Sequence, residues 1–310
     1  MLQSLVCFIA AFWLVVLAIL PFTIITIDAS AWTTALLPGV LTTTVLATYC
    51  QARGYSRISA PALAFLFNIL LLFPIAAFAY AAMQLSIPFV DAQLASIDAA
   101  MGFDWNATIA FIDDWPPLAH LLNGAYLAFA PQLIIFPPLL ALRNDPSRAY
   151  KMLMSYGAIS FLSFFISSAV PALGTFGAAG IDFAKNIDLE HALNFVPQLQ
   201  ALKYSHAFVL TPSRVAGVIS FPSVHAAVAI LCIWAIWPLK LFRYPVLALN
   251  VLMAISAIPN GGHYLVDVLA GFAVAVWTIL AIESLSARLE ARSESRSGRT
   301  ILSEATAGNS

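Results

Sequence analysis

The chain alternates long apolar segments with short polar ones. A helix that crosses the hydrocarbon core of a bilayer needs about 20 apolar residues, and eight segments reach or approach that length. We therefore predict eight transmembrane helices, at Leu5–Ile27, Trp32–Tyr49, Pro61–Ile87, Leu118–Leu142, Met152–Leu173, Pro222–Trp237, Pro245–Ile258 and Tyr264–Ile282. The sixth and seventh are short, and the sixth can extend as far as Phe242.

Three stretches break this pattern. Asp91–Trp115 carries five aspartates among apolar residues at roughly helical spacing, which predicts surface or interfacial helices and not a span. A more polar loop runs from Gly174 to Ser220. The Ser-, Arg- and Glu-rich tail is expected to be disordered at its end. We divide the chain into a membrane domain, 1–283, with a core at about 118–283, and a polar tail, 284–310.

The composition supports a membrane protein. Of the 310 residues, 61% are hydrophobic and 9% are charged, whereas soluble chains are about 45–50% apolar and 25% charged. Ala29-Ser30-Ala31 resembles a signal-peptide cleavage site, but no Lys or Arg precedes the apolar stretch, and that stretch exceeds the usual 7–15 residues. The fold class predicted is an all-α, polytopic bundle of membrane helices.

The basic residues fit this count. With the N-terminus in the cytoplasm and eight spans, all of the 14 Lys and Arg residues except Lys185, Lys203 and Arg214 fall in cytoplasmic loops or the tail. This is the asymmetry that the positive-inside rule expects. Both termini are therefore predicted to be cytoplasmic.

The first chemical motif, Phe221–His225, begins the sixth predicted span. Proline suits the first turn of a helix, where its missing N–H costs nothing, and Ser220 is a candidate N-cap. The free N–H groups at a helix start form an anion site, here beside the Ser223 hydroxyl. His225 projects from the same turn. The motif therefore predicts a place that binds a phosphate and donates a proton to it.

The second motif, Gly261–Asp267, begins the eighth predicted span. His263 and Asp267 are four residues apart, which places them on one face of a helix. A carboxylate can fix the tautomer of an imidazole and raise its basicity, and such an imidazole can attack phosphorus directly. Gly261 and Gly262 allow the backbone to approach a ligand closely. Either motif alone also fits a structural role, but both are predicted at the same edge of the membrane.

Together the motifs resemble a known family. Ser223-Val224-His225 after a proline, and His263-x-x-x-Asp267 before Leu269-Ala270-Gly271, are similar to the second and third signatures of the type 2 phosphatidic acid phosphatase superfamily. The sequences FPSVHAA and GGHYLVDVLAG are more similar to its inositol phosphorylceramide synthase-like branch than to plain lipid phosphatases. The resemblance is specific over about Arg214–Phe272.

The resemblance implies roles and ligands. His263 would be the nucleophile that forms a phosphohistidine, Asp267 would orient it, and His225 would protonate the leaving oxygen. Ser223 and nearby backbone groups, including Gly262, would hold the phosphoryl oxygens. The substrate would be a lipid phosphate or phospholipid, with a lipid alcohol as a second possible acceptor besides water. No metal or other cofactor is implied, and no nucleic acid.

Two features depart from the family pattern. The third signature usually has Ser-Arg seven and six residues before the nucleophile, where this chain has Ser256-Ala257, and the first signature is absent. A dianionic phosphoryl group in a low-dielectric site needs cationic compensation. Arg214 is the first candidate to supply it, because arginine can bind phosphate through two parallel hydrogen bonds. Lys203 is the second candidate and His206 the third.

The leading hypothesis is an enzyme at the extracytoplasmic face of a bacterial inner membrane. Water would resolve the phosphohistidine in a phosphatase and a lipid hydroxyl in a head-group transferase, and the sequence leaves this choice open. The alternative is a transporter or scaffold that keeps the fold without catalysis. Transporters often show internal repeats and polar groups near the bilayer midplane, whereas here the polar groups cluster at helix starts.

Overall fold

The computed structural model describes residues 1–84, 88–179 and 184–307. Within these ranges the regular elements are helices apart from two three-residue strands, so the predicted all-α polytopic bundle is confirmed. In chain order the elements are α1 Leu2–Ile19, β1 Ile25–Ile27, α2 Ala29–Ala52, α3 Ser56–Met83, α4 Asp91–Ala100, α5 Trp105–Asp113, α6 Pro116–Leu127, α7 Phe129–Leu142, α8 Pro146–Ala169, α9 Gly174–Ala179, α10 Glu190–Tyr204, β2 Phe208–Leu210, α11 Val224–Ile236, α12 Arg243–Gly261 and α13 Leu265–Ala307.

Six of the described helices are long and apolar enough to cross a membrane: α1, α2, α3, α8, α12 and α13. The pair α6 and α7 passes the same test jointly but bends by 47° and would make a seventh span. The remaining predicted segment corresponds to α11, which is apolar but has 13 residues. Each predicted span therefore overlaps a helix, and the count of eight remains a prediction.

The bend between α6 and α7 has a local cause. The helix is interrupted at Ala128, between Leu127 and Phe129. Proline lacks the N–H that would bond the carbonyl four residues earlier, and its ring clashes with that carbonyl. Pro131 stands four residues after Leu127, so the ladder breaks at this point. The predicted continuous helix Leu118–Leu142 is wrong in this respect.

Three predicted boundaries also differ from the structure. The first helix ends at Ile19, because a 3-10 turn containing Pro21 and then β1 follow, and Leu5–Ile27 is not one helix. The helix of the sixth segment ends at Ile236 and does not reach Phe242. The third helix ends at Met83, and the last three positions of its predicted span lie outside the described residues.

The tail is helical over most of its length. α13 has 43 residues and continues without interruption from the eighth predicted span to Ala307. Alanine, arginine and glutamate are good helix formers, and they recur between 283 and 307. The expected disorder is therefore wrong as far as Ala307, and residues 308–310 lie outside the described part.

Packing brings the two motif-bearing helices together in the bundle. α11 contacts α7, α8, α12 and α13, and α3 packs against α2, α7 and α8. β1 pairs in parallel with β2, which attaches the N-terminal segment to the loop before α11. At the other end of α11, Leu239 shares a cavity of about 480 Å³ with Arg57 and Arg143. Three loops predicted to be cytoplasmic therefore meet at the end of the bundle away from both motifs.

Candidate active site

The starts of α11 and α13 are in direct contact. The N–H of Ser223 donates to the carbonyl of Asp267 at 3.0 Å. A Cβ placed on Gly271, one turn further along α13, would lie 2.3 Å from the carbonyl oxygen of Ser223. No side chain fits in that distance, so glycine is what permits the two helices to approach this closely.

Ser223 is the N-cap of α11, and its hydroxyl accepts a hydrogen bond from the N–H of Ala226 at 3.4 Å. The prediction that Ser220 caps this helix is wrong, because the helix starts at Val224 and Pro222 lies in the loop before the cap. The Ser220 hydroxyl instead donates to Oδ2 of Asp267 at 2.9 Å. Ser220 therefore links the loop before the first motif to the carboxylate of the second.

His263 lies before α13 and not on it. α12 ends at Gly261, Gly262 adopts a left-handed conformation with φ 66°, and α13 begins at Leu265. The predicted shared helix face is therefore wrong. Nevertheless Nδ1 of His263 lies 3.3 Å from Oδ2 of Asp267, because the same oxygen also accepts the N–H of Tyr264 at 3.0 Å and caps the turn that carries the histidine.

The Asp267 carboxylate fixes which nitrogen of His263 is available. Asp267 is fully buried, and as acceptor it favours the tautomer with the proton on Nδ1. Nε2 then keeps its lone pair. A Cβ placed on Gly261 would lie 3.2 Å from both Nε2 of His263 and Cε2 of Tyr126. Nε2 of His263 and the Tyr126 ring therefore both lie beside Gly261.

His263 and His225 line the same cavity, which has a volume of about 620 Å³. Its walls come from α3, α6, α7, α8 and α10, from the loop 215–219 and from the start of α11, and most lining side chains are apolar or aromatic. Ligand cavities commonly combine an apolar lining with a few convergent polar groups. Among the described residues that line it, none is Lys or Arg.

His225 packs against two aromatic rings from the bend between α6 and α7. Its ring stacks on that of Tyr126, with centroids 4.2 Å apart and planes 9° apart. The Phe129 ring lies 4.3 Å away at 32°. Because the bend separates these two residues, both can turn toward the start of α11. Sequence analysis missed both, although Pro131 marks the bend.

None of the predicted phosphate-binding residues is among the described residues that line the cavity. The Arg214 side chain is exposed, and its carbonyl oxygen lies 3.0 Å from Oη of Tyr80. Lys203 Nζ lies 3.7 Å from the centroid of the Phe89 ring. Burial lowers the pKa of Lys203, and Asp91 acts in the opposite direction. His206 is exposed.

Ser223 and Gly262 are also engaged elsewhere. Ser223 is fully buried and its hydroxyl serves as the cap. The Gly262 carbonyl accepts the N–H of Thr175 at 2.8 Å. Of the two predicted glycines, Gly261 lines the cavity.

The aspartate-rich segment forms two short helices, α4 and α5, of 10 and 9 residues. Both are too short to span a bilayer, as predicted. However, Asp91, Asp98 and Asp113 are buried, and each accepts backbone N–H groups from a distant segment. Burial raises the pKa of Asp91, and hydrogen bonds from Leu173 and Gly174 partly oppose that shift. The seven-residue spacing of Asp91 and Asp98 is a signal of one shared helix face.

The fold and the site define an integral membrane protein with a histidine-lined cavity between its helices. The chain belongs to the PAP2 superfamily, whose family model matches residues 92–281, from α4 into the first part of α13, and so includes both motifs. No curated protein and no solved structure matches the chain. Membership of this superfamily implies a phosphoric ester hydrolase or phosphotransferase that acts on lipid phosphates.

Proposed function

We propose that the protein is a lipid phosphate phosphatase or lipid head-group phosphotransferase that works through a phosphohistidine on His263. One observation carries the proposal: His225 and His263 line a single cavity, and the buried Asp267 lies at Nδ1 of His263. A nucleophile, its orienting carboxylate and a second imidazole are the groups that two-step phosphoryl transfer without a metal requires.

The proposed reaction has two steps. Nε2 of His263 attacks phosphorus, the bond from phosphorus to the lipid oxygen breaks, and that oxygen takes a proton from His225. The Asp267 carboxylate stabilises the positive charge that develops on the His263 ring. Water or a lipid hydroxyl then attacks phosphorus, loses its proton to His225, and the bond from phosphorus to nitrogen breaks. Both histidines return to their starting states.

The cavity lining favours a phosphodiester substrate. A phosphomonoester carries close to two negative charges at neutral pH, and no lysine or arginine lines the described cavity to compensate them. A phosphodiester carries one charge. This preference supports a reaction like that of inositol phosphorylceramide synthases, in which a phospholipid donates its head group to a lipid alcohol. Hydrolysis of a phosphomonoester is the other outcome for the same histidine pair.

The proposed site faces the exterior of the cell. The cavity lies at the starts of α11 and α13, whereas Arg57 and Arg143 line a cavity beyond the other end of α11. Because basic loops stay in the cytoplasm, this separation supports an extracytoplasmic site in a bacterial inner membrane. Both termini would then be cytoplasmic.

The test uses purified full-length protein in detergent with a chelator. Two lipids labelled with ³²P at the phosphate are compared, phosphatidic acid and a phosphodiester phospholipid, each with and without a lipid alcohol. We expect label on the protein that is stable to alkali and lost in acid, as a phosphohistidine is, and its absence in His263→Ala. His120→Ala is the matched control, because His120 is exposed and does not line the cavity.

The same experiment separates the alternatives. Labelled head group on the added alcohol indicates transfer, and labelled water-soluble phosphate or phosphoalcohol indicates hydrolysis. Turnover that requires added metal, or that proceeds at the wild-type rate in His263→Ala, would refute the phosphohistidine mechanism. Absence of any turnover with both lipids would favour a transporter or scaffold.

A further inference from the structure

The carboxylate of Asp98 lies at the start of α13, although Asp98 belongs to α4. Its Oδ2 accepts the N–H of Leu265 at 2.7 Å and its Oδ1 accepts the N–H of Val266 at 2.9 Å. The first N–H groups of a helix have no partner inside the helix and are commonly capped by the residue just before it. Here another helix supplies the acceptor, and Asp98 is only 2% exposed. α4 therefore holds the backbone of Leu265 and Val266, which come directly after His263 and Tyr264.

Asp91 lies two turns earlier on the same face of α4. Its carboxylate accepts the N–H of Leu173 at 3.0 Å and of Gly174 at 2.9 Å. The hydroxyl of Tyr264 donates to the same carboxylate at 3.3 Å. A second contact to the segment beside His263 therefore comes from α4, this time through a side chain.

The turn that Asp91 holds also reaches the residue before His263. The N–H of Thr175 donates to the carbonyl of Gly262 at 2.8 Å. A Cβ on Gly174, which has φ 78°, would lie 2.6 Å from that carbonyl oxygen. Gly262 and Gly174 are therefore packed backbone to backbone, and α4 fixes the chain on both sides of His263.

Burying a carboxylate is costly unless hydrogen bonds replace its water. Each of these two carboxylates accepts two backbone N–H groups, and bonds to an ionised acceptor are the stronger kind. Two such residues on one face of a 10-residue helix attach it firmly to the His263 segment. In a phosphoryl transfer, a displacement of about 1 Å in the nucleophile can cost about 100-fold in rate.

We propose that Asp98 and Asp91 are positioning residues, which set the place of His263 Nε2 relative to His225 by holding the backbone around His263. This inference rests on the proposed function. α4 does not touch the reacting atoms, and it acts through Leu265, Val266, Tyr264 and the turn at Gly174. α4 is thus part of the machinery of the site and not a cover over it.

The test measures kcat and KM for Asp98→Asn in full-length protein, with lipid esters of good and poor leaving groups. The amide keeps one acceptor oxygen and places an NH₂ group against one backbone N–H. We expect kcat to fall about 10- to 100-fold, equally for both esters, with KM little changed. The single-turnover rate of phosphohistidine formation should fall by the same factor. Equal loss for both esters distinguishes misplacement of the nucleophile from loss of the acid.

Asp104→Asn is the matched control. Asp104 belongs to the same segment and caps α5 by accepting the N–H of Ala107 at 3.0 Å, but α5 carries no motif residue. We expect an unchanged kcat and an unfolding temperature close to that of the wild type, because asparagine caps a helix about as well as aspartate. A wild-type kcat in folded Asp98→Asn, or an equal loss in Asp104→Asn, would overturn the inference.

Asp91→Asn keeps the test decisive if Asp98→Asn does not accumulate as folded protein. The same uniform loss of kcat is expected for it, but smaller, because Asp91 holds His263 less directly. If neither variant folds, α4 has a structural role alone and the inference is overturned. Failure of the proposed function is seen separately, as absence of phosphohistidine in the wild-type protein before any variant is compared.

Discussion

The contacts described above for His225 and for His263 are of two kinds. His263 sits in a polar network: Asp267 contacts its Nδ1, Ser220 and Tyr264 bond the same carboxylate oxygen, and α4 holds the adjacent backbone. His225 packs against the faces of Tyr126 and Phe129. The two imidazoles meet at one cavity, where His263 contacts a carboxylate and His225 contacts two ring faces.

This difference matches what each proposed role demands. A nucleophile must present one nitrogen in one place, and directional hydrogen bonds do this well. An acid that later acts as a base must reach two different oxygens in turn. Stacking keeps two rings parallel, but it allows one ring to slide over the other, since different offset arrangements are close in energy. Substitutions at five positions break or sharpen this contrast.

The largest effect is expected at the polar network. His263→Ala or Asp267→Asn should lower turnover by about 10³- to 10⁴-fold, because the nucleophile or its orienting group is lost. Turnover per folded protein is measured, with elution on size exclusion as the check of folding. His120→Ala serves again as the control. Retention of a large share of wild-type turnover in either variant would contradict the assignment.

Gly271→Ala should disturb the contact between α11, which carries His225, and α13, which follows His263. The added Cβ would meet the Ser223 carbonyl oxygen at 2.3 Å, so α11 and α13 must move apart. We expect a lower unfolding temperature and a loss of turnover of at least about 10-fold, since small displacements at the site are costly. Gly124→Ala is the control: a Cβ there meets nothing within 4 Å, and alanine favours a helix. Equal behaviour of the two variants would refute the close contact.

His225→Ala should depend on the leaving group. General acid catalysis contributes about 10²- to 10⁴-fold, and a good leaving group does not need the proton. The variant should therefore be impaired most with lipid esters of poor leaving groups, and much less with aryl esters. Comparing kcat/KM for the two substrates checks this. Equal loss with both would refute the acid role of His225.

Tyr126 should have the smallest effect and should reveal how stacking contributes. Tyr126→Leu removes the ring face, and an aromatic pair is worth about 0.5–1.5 kcal/mol, or up to about 10-fold in rate. Tyr126→Phe keeps the face and should stay nearer the wild type. Initial rates with a poor leaving group measure both. A larger loss in Tyr126→Phe than in Tyr126→Leu would indicate that the hydroxyl, and not the ring face, matters.

Apolar segment length and two short motifs were enough to predict a helical membrane bundle and to single out His225, His263 and Asp267. The local geometry around these residues could not be predicted from the sequence in the same way. Ser220 and Ser223 are three residues apart, and sequence does not tell which one caps α11. His263 and Asp267 keep their contact at a helix start, which a pattern of four-residue spacing cannot distinguish from a helix interior.

The buried aspartates were out of reach for a different reason. Asp91 and Asp98 are stabilised by N–H groups that lie more than 80 positions away along the chain. Local sequence suggests solvation for a carboxylate on a short helix, because Asp is almost never fully buried unless paired. Only the tertiary fold supplies the partners. Similarly, Arg214 and Lys203 were chosen for their charge, and Arg214 also for the two hydrogen bonds that arginine can make to phosphate, but neither side chain lines the cavity.

Tyr80 has a practical consequence for anyone shortening the chain. Its hydroxyl accepts the N–H of Ala216 at 3.0 Å and bonds Gln198 at 2.6 Å, so that α3 anchors the wall formed by 215–219. The family match starts only at residue 92. A fragment that starts at residue 92 would lack α3 and with it the Tyr80 bonds to this wall, so the residues that form the cavity extend beyond those that the family model matches.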